Sequence, residues 1–200
     1  MAKKTKKTSE QNQASSFERL IEIGIALSAE QDTSRLMETI LLEAKDISNA
    51  DGGTLYLKTE DNNLNFEIVR TDSLKIAMGG TTGKEITFPP VLLYDPETGK
   101  ENKANVASCA SLTGKSINIP DAYDSKDFDF SGTRKFDKGT GYRSKSFLTV
   151  PMKNSQDEII GVLQLLNAQD RDTGEVIPFS GDIQPLIEAL ASQAAVALDN

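Results

Sequence analysis

The sequence contains one amide and two hydroxyl side chains that lie within a predicted strand or beside a predicted turn. Gln164 alternates in phase with Ile160 and Leu166 within an otherwise apolar run. A buried amide needs hydrogen-bond partners, because leaving it unpaired costs about 1–3 kcal/mol. Ser144 and Thr140 flank a Gly-Tyr-Arg turn, and a hydroxyl can both donate and accept hydrogen bonds. These side chains are therefore candidates for binding a polar ligand. A solvent-facing amide and ordinary turn hydrogen bonds are the alternatives.

Aromatic and acidic residues alternate in the segment before Gly139. Phe128 and Phe130 enclose Asp129 there, and an aromatic ring in such a loop can stack on the face of a planar ligand. Alternating aspartates also suggest a calcium loop, but the glycine and glutamate of an EF-hand are missing at the required spacing. We therefore expect a ligand contact from Phe128, Asp129 and Phe130, and no metal.

The absence of histidine excludes several kinds of chemistry. The sequence has no histidine and a single cysteine, Cys109. It therefore lacks the Ser-His-Asp and Cys-His arrangements, imidazole metal sites and histidine-ligated haem. No pair of carboxylates stands at a recognisable catalytic spacing. We expect a protein that is not an enzyme and has no resident cofactor.

Charge and hydropathy narrow the choice of partners and location. The 22 basic and 30 acidic residues give a net charge of −8, which argues against nucleic acid as a partner. No apolar run reaches the roughly 18 residues of a membrane span, so no membrane partner is expected. The polar start lacks the apolar segment of a secretory signal, and a lone cysteine suits a reducing cytoplasm. Residues 1–14, rich in lysine, are expected to form a disordered basic tail.

The first helix is predicted to begin at Ser15, because Glu18 follows at the spacing of a capping box. Residues 15–200 are then expected to form one domain. Apolar residues on more than one side of this helix predict burial by the domain's own sheet and by something else. The expected inward stripe consists of Phe17, Leu20, Ile21, Gly24 and Leu27, with Ile23 and Ile25 off it.

Farther along the chain the hydrophobic period changes from that of helices to that of strands and back. The order of elements predicts an α+β fold with an antiparallel sheet of about five to six strands and helices on one face. An irregular stretch at residues 71–113 is long enough to suggest a functional loop. The predicted elements are a second helix (about 32–49), a hairpin (54–69), an irregular stretch (71–113), a strand (116–119), a loop to about 141, two strands (147–150 and 159–166) and a helix capped by Asp182.

Four segments carry a resemblance to a known family. Residues 114–123, 139–151, 157–167 and 191–198 resemble GAF domains, most closely those of bacterial nucleotide cyclases, HD-GYP-type proteins and cyclic-nucleotide phosphodiesterases. The resemblance covers about residues 16–200. It implies a regulatory sensor domain with a ligand pocket covered by loops and short helices on the sheet face opposite the terminal helices. It also implies a homodimer that relays binding to a covalently linked C-terminal output domain, such as a cyclase or phosphodiesterase.

The resemblance also suggests the ligand. Gln164 and Ser144 stand at base-contacting positions of the nucleotide-binding members. Val106, Ala107 and Ser108 resemble the start of the helix over the pocket, where backbone N–H groups can receive a phosphate; a plain small-residue helix start is the alternative. Gln164 is neutral where an acidic residue would favour guanine, so cAMP is expected ahead of cGMP.

The sequence departs from the nucleotide-binding pattern after its last long strand. Asn167 and Phe179 are present, but Ala168 replaces a lysine and Ile183-Gln184 replace an Asp-Glu pair. The lysine–aspartate bridge of that pattern cannot form. Bilin, haem and methionine-sulfoxide chemistry would need a histidine or several cysteines. A ligand-free dimerisation module, or a GAF domain for another small molecule, remains the alternative.

Overall fold

The computed structural model describes residues 2–200, which form one antiparallel sheet covered by helices on both faces. The helices are α1 (Ala2–Ala29), α2 (Thr33–Ser48), α3 (Val106–Thr113), α4 (Ser131–Thr140) and α5 (Gln184–Leu198). The strands are β1 (Ala50–Lys58), β2 (Asn63–Thr71), β3 (Ile76–Gly79), β4 (Val91–Leu92), β5 (Ile117–Ile119), β6 (Phe147–Lys153), β7 (Ile159–Gln169) and β8 (Val176–Ile177).

The sheet confirms the predicted α+β class. Its main path has the order β3-β2-β1-β7-β6-β5, with β4 added to β2 and β8 to β7, and every pairing is antiparallel. The stretch from 71 to 113, predicted to be irregular, contributes β3, β4 and α3. These elements are short, so they leave little periodic signal in the sequence.

Helices α1, α2 and α5 cover one face of the sheet, as predicted. The Asp32 carboxylate caps α2 by accepting a hydrogen bond from the Arg35 N–H (2.9 Å). Asn49 ends the helix in the left-handed conformation (φ 51°). Leu41, Leu163 and Leu190 are fully buried in the core between this layer and the sheet. The terminal helices therefore leave the opposite sheet face to α3, α4 and the loops.

The last helix begins differently from the prediction. Ile183, rather than Asp182, is the N-cap residue of α5, and no side chain caps it. Pro185 lies in the first turn, where its missing N–H costs nothing because that group has no intrahelical partner. The predicted inward residues Ile187 and Ala194 are fully buried.

The first helix buries a different stripe from the predicted one. Leu20, Ile23 and Leu27 are buried, whereas Phe17 and Ile21, both predicted to face inward, are exposed. The buried residues recur at three and four positions, the spacing of one helical face. Ile23 completes that face, so the prediction was wrong on which isoleucine faces the core.

The first helix also begins earlier than predicted. It starts at Ala2 rather than Ser15, so residues 2–14 are helical backbone in place of the expected disordered tail. This segment contains neither glycine nor proline, and its alanine, lysine and glutamine residues have good helix propensity. Across the described residues, no helix is both long enough and apolar enough to cross a membrane.

Candidate functional site

A cavity of about 640 Å³ lies on the sheet face opposite the terminal helices. Its floor is the middle of β1 and β7. Its walls are the first turn of α3, the segment from Phe88 to Leu92, and α4 with the loop before it. The volume falls within the range of small-molecule pockets. The fold thus places the pocket where the family resemblance predicts it.

One end of the cavity is aromatic. Tyr56 of β1 and Phe66 of β2 lie side by side with ring centroids 4.7 Å apart, and Phe88 lies 5.4 Å from Phe66 at the rim. Tyr56 and Phe66 belong to an apolar cluster that includes Ala107 of α3. This end therefore presents flat apolar surfaces to whatever enters.

The other end is closed by a second apolar cluster. Phe130 and Phe147 line it with centroids 5.5 Å apart, and Val106 and Leu166 pack with them. A planar group entering the cavity would lie between the two apolar ends, over the polar residues that separate them.

The centre of the floor is polar, because Gln164 lies there between Thr54 of β1 and Thr149 of β6 in the strand register. Gln164 Nε2 donates to Thr149 Oγ1 (3.0 Å), and Tyr56 Oη donates to Gln164 Oε1 (3.4 Å). Burial raises the pKa of the Tyr56 phenol, so it stays a proton donor. These contacts fix the amide orientation and leave one Nε2 hydrogen and one Oε1 lone pair for a ligand.

The first turn of α3 lies against the same cavity. Val106 and Ala107 line the cavity, and first-turn amides have no intrahelical acceptor. Asn105 caps the helix by accepting from the Ser108 N–H (3.0 Å). Ser108 is fully buried behind this turn and is not part of the lining. The structure therefore brings two of the three predicted α3 residues to the cavity.

Ser144 lines the cavity, but its hydroxyl hydrogen is already used. Ser144 Oγ donates to Asp137 Oδ1 (2.7 Å), and the Ser144 N–H donates to Asp137 Oδ2 (2.9 Å). In this structure the hydroxyl hydrogen of Ser144 is therefore used within the protein, and a contact between Ser144 and a purine stays a prediction. Only the lone pairs of Ser144 remain for a ligand.

The cavity lining carries almost no charge. Among the described lining residues, Arg70 is the one cation and Asp129 the one acid. The Arg70 guanidinium bonds Glu38 of α2, which neutralises it. Nowhere in the described chain do three carboxylate or cysteine side chains gather to hold a metal ion. Neutral donors and acceptors are thus the groups on offer.

Comparison with family models decides the classification. The model of the GAF domain matches residues 32–198. This chain belongs to the GAF domain family. The resemblance seen in the sequence is confirmed over nearly the whole folded region, and the protein is a GAF sensor domain.

Known proteins are similar to this GAF domain to different extents. It is 37% identical over 87 residues to the dual 3′,5′-cyclic-AMP and -GMP phosphodiesterase 11A of Takifugu rubripes, a match of 44% of this chain and 9% of that protein. The GAF domain of an Acinetobacter phosphoenolpyruvate-protein phosphotransferase superposes with a TM-score of 0.64 at 14% identity, covering 92% of each chain. The free methionine-R-sulfoxide reductase of Neisseria meningitidis, in complex with its substrate, gives 0.59 at 14% identity, covering 90% of this chain and 86% of the other.

The remaining predicted site residues occupy different places in the GAF domain. Phe130 is buried in the cavity wall, whereas Phe128 packs behind it at a centroid distance of 6.5 Å and is not in the lining. Asp129 lines the rim, where hydrogen bonds from Ser131 lower the pKa of its carboxyl. Thr140 donates to the Phe136 carbonyl (2.8 Å) at the end of α4 and lies outside the cavity lining.

The departure from the family's Asn-Lys motif has a structural replacement. Asn167 is buried, and its Nδ2 donates to Tyr142 Oη (2.9 Å) while its Oδ1 accepts from the Lys145 N–H (2.7 Å). Tyr142 Oη in turn donates to Asp51 Oδ2 (2.6 Å). These bonds tie the end of β7 to β1 and to the turn before β6. Ala168 is buried and brings no charge to that position.

Sequence reasoning missed Thr54, Tyr56 and Phe66 as lining residues. Thr54 and Tyr56 alternate with the core residues Leu55 and Leu57. The period of two alone therefore assigns them to the solvent-facing side of the hairpin. In a sheet covered on both faces, that alternation marks the second interior surface rather than solvent. The sequence signal that could have found this surface is Tyr56, an aromatic residue at a position where a solvent-facing strand would have a polar side chain.

Proposed function

We propose that this GAF domain is a regulatory sensor that binds a cyclic nucleotide, with cAMP preferred over cGMP. The observation that carries the proposal is that one cavity is lined both by an oriented amide, Gln164, and by the first turn of α3, whose leading amides have no intrahelical acceptor. The first group suits a purine edge and the second suits a phosphate. The partial similarity to a phosphodiesterase named for cyclic AMP and GMP supports this ligand class.

The preference for adenine follows from the amide. Adenine offers a donor amine next to an acceptor nitrogen, and a glutamine side chain matches such a pair with its oxygen and its NH₂. Guanine presents adjacent N–H donors on its N1–N2 edge, which a carboxylate would accept better than an amide. The Gln164 amide, held by Tyr56 and Thr149, therefore favours cAMP.

The phosphate is assigned to the main chain of Val106 and Ala107. A helix N-terminus combines unpaired N–H donors with the positive end of the helix dipole. The side chains on this turn are small or apolar, so a phosphate can approach the backbone. Asp129, an acceptor at the rim, suits a ribose hydroxyl rather than the phosphate.

Isothermal titration of the 200-residue chain with cAMP and cGMP tests the proposal. We expect saturable heat with both and a lower dissociation constant for cAMP. Absence of heat with either nucleotide would end the cyclic-nucleotide assignment and leave a GAF domain for another small molecule or for none.

Gln164→Glu should move the preference toward cGMP. The glutamate keeps the length of the side chain and accepts from Tyr56 Oη, but it no longer donates to an adenine nitrogen. We expect the ratio of cGMP to cAMP affinity to rise about tenfold, the effect of about one hydrogen bond made to a charged group. Titration of both nucleotides measures this ratio. Gln156→Glu, on the exposed β6–β7 turn, matches the charge change and should leave the ratio unaltered. If the ratio does not move in Gln164→Glu, the amide does not contact the base.

We also propose that the domain forms a homodimer and relays binding to a C-terminal output domain in the full protein. On α1, Phe17, Ile21 and Ile25 are 69%, 56% and 67% exposed at a spacing of four residues. α5, which packs against α1, exposes Val196. A stripe of large apolar side chains on one helix face is a contact surface for another helix. The partner proposed is a second copy of this chain.

Ile21→Glu should break that dimer. A glutamate in the middle of the stripe buries an unpaired charge in the interface. Light scattering at tens of micromolar should give the mass of two chains for the natural protein and of one chain for the variant. Leu42→Glu, at an exposed leucine of α2, is the matched control and should stay dimeric. A single-chain mass for the natural protein would contradict the proposal.

A ligand-free relay module is the second candidate, because the exposed stripe on α1 supports dimerisation with or without a ligand. This second proposal would be favoured if an aromatic side chain filled the pocket. Phe130 lies in the wall, and about 640 Å³ stays open, so the sensor is the better proposal. The chain has no histidine and one cysteine. We propose that its role is cytoplasmic and non-catalytic, and that its partners include neither nucleic acid nor membranes.

A further inference from the structure

Helix α4 covers one side of the cavity although its own sequence supports a helix poorly. Gly132, Thr133 and Phe136 contribute to the cavity lining. The helix contains two glycines, Gly132 and Gly139, and glycine has a poor helix propensity. Its N-cap residue, Phe130, makes no side-chain capping bond. Interactions outside the helix must therefore hold it over the cavity.

Those interactions converge on Asp137, a buried carboxylate near the end of α4. Its oxygens accept from Ser144 Oγ (2.7 Å) and the Ser144 N–H (2.9 Å) on the segment leading into β6. They also accept from Tyr123 Oη (2.6 Å) on the loop after β5. Hydrogen bonds to an ionised acceptor are about twice as strong as neutral ones. Asp137 thus joins α4 to both chain segments that flank it.

The tyrosine that donates to Asp137 is itself in contact with two arginines. The Cζ atoms of Arg134 and Arg143 lie 4.4 Å and 3.7 Å from the centroid of the Tyr123 ring. Arg143 also donates to both oxygens of Asp121 (2.9 and 3.0 Å), and Arg134 donates to the Tyr123 carbonyl (3.2 Å). Arg134 lies on α4, so this stack adds a second connection between the helix and the loop.

We infer that Asp137 is the positioning residue that keeps α4 closed over the cavity, and that Ser144 affects ligand binding through Asp137 rather than by contact with the base. The part of this inference that concerns ligand affinity rests on the proposed function. The part that concerns α4 does not, because the hydrogen bonds exist without a ligand.

Hydrogen exchange of the ligand-free chain tests the positioning role in Asp137→Ala. We expect the amides of α4 to exchange about tenfold faster or more, because the lost bonds hold this helix against its two flanking segments. The amides of β1 and β7 should keep their protection. Asp127→Ala changes an exposed aspartate in the loop before α4. It is the matched control, and its α4 amides should exchange as in the natural protein. Unchanged protection of α4, or an even loss of protection across the sheet, would overturn the inference.

Two milder variants keep the inference testable if Asp137→Ala does not fold. Ser144→Ala and Tyr123→Phe each remove one donor to Asp137, and each should speed exchange in α4 by roughly threefold to tenfold. If neither variant changes the exchange of the α4 amides, the positioning role of Asp137 is overturned.

Ligand kinetics separate this inference from the proposed function. If the natural chain binds cAMP, a loosened cover should release it about tenfold faster in Ser144→Ala, with a smaller change in the association rate. If affinity falls while α4 exchange stays unchanged, Ser144 contacts the ligand directly and the inference is wrong. If the natural chain binds neither nucleotide, the proposed function fails while the exchange measurements still decide the role of Asp137.

Discussion

Ala107→Asp is expected to lower the affinity of the chain for cAMP and cGMP by about a hundredfold or more, roughly 3 kcal/mol. Ala107 is 2% exposed and lines the cavity in the first turn of α3. A carboxylate there would stand against the phosphate with little water to screen it. It would also accept from the amides that are proposed to bind the phosphate. Isothermal titration measures the loss, and the melting temperature reports whether the variant is folded.

Two controls separate charge from shape in this experiment. Ala107→Asn adds the same volume without charge and should retain at least about tenfold more affinity than the aspartate variant. Lys100 and Lys103 lie on the exposed segment before α3, and Lys103 pairs with Glu101 (3.1 Å). Changing both lysines to glutamine should leave affinity nearly unchanged. A loss above about tenfold in the double variant would mean that a basic lid, not the helix amides, holds the phosphate.

Gly161→Ala is expected to lower the free energy of unfolding by about 3 kcal/mol or more, a large fraction of the stability of a domain of this size. A Cβ atom at this position of β7 would lie 2.2 Å from the Tyr56 carbonyl oxygen and 2.5 Å from Met152 Cε. The first of these is backbone of the neighbouring strand, so it cannot move away without breaking the β1–β7 pairing.

Chemical denaturation measures this loss of stability. Gly181→Ala serves as the control, because a Cβ there meets nothing within 4 Å and its stability should change by no more than about 0.5 kcal/mol. A Gly161→Ala variant as stable as the control would show that the strands can separate at this point. Since β7 carries Gln164, any folded fraction should also bind nucleotide less tightly.

The terminal helices and the central strands were predictable because their residues repeat a period. α2 and α5 bury apolar side chains at helical spacing, and β6 and β7 are apolar runs bounded by turns. Such patterns follow from the local geometry of helix and strand and need no tertiary information. The pocket positions of Val106, Ala107 and Gln164 were also predictable through the family resemblance, and that of Phe130 from the aromatic residues of its loop.

The face of β2 was beyond the sequence, because a β-bulge changes it. Leu55 pairs with Ile68 and Tyr56 with Phe66, so one extra residue, Glu67, stands between them. Ile68 therefore faces the terminal helices while Phe66 faces the cavity. A strict period of two would place both on one face. A bulge depends on the pairing of two strands, which the residues of one strand do not encode alone.

The residues alone were enough to predict the α+β fold, the GAF family and a pocket that lacks histidine. The bond that Ser144 makes within the protein and the existence of α4 became visible only in the folded structure. Residues 131–140 contain one large apolar residue, Phe136, and two glycines, so they resemble a loop. In the fold they form a helix whose Asp137 bonds with Ser144 and Tyr123, which lie seven and fourteen residues away in the chain. Bonds of this kind arise from the folded arrangement, so local sequence reasoning does not reveal them.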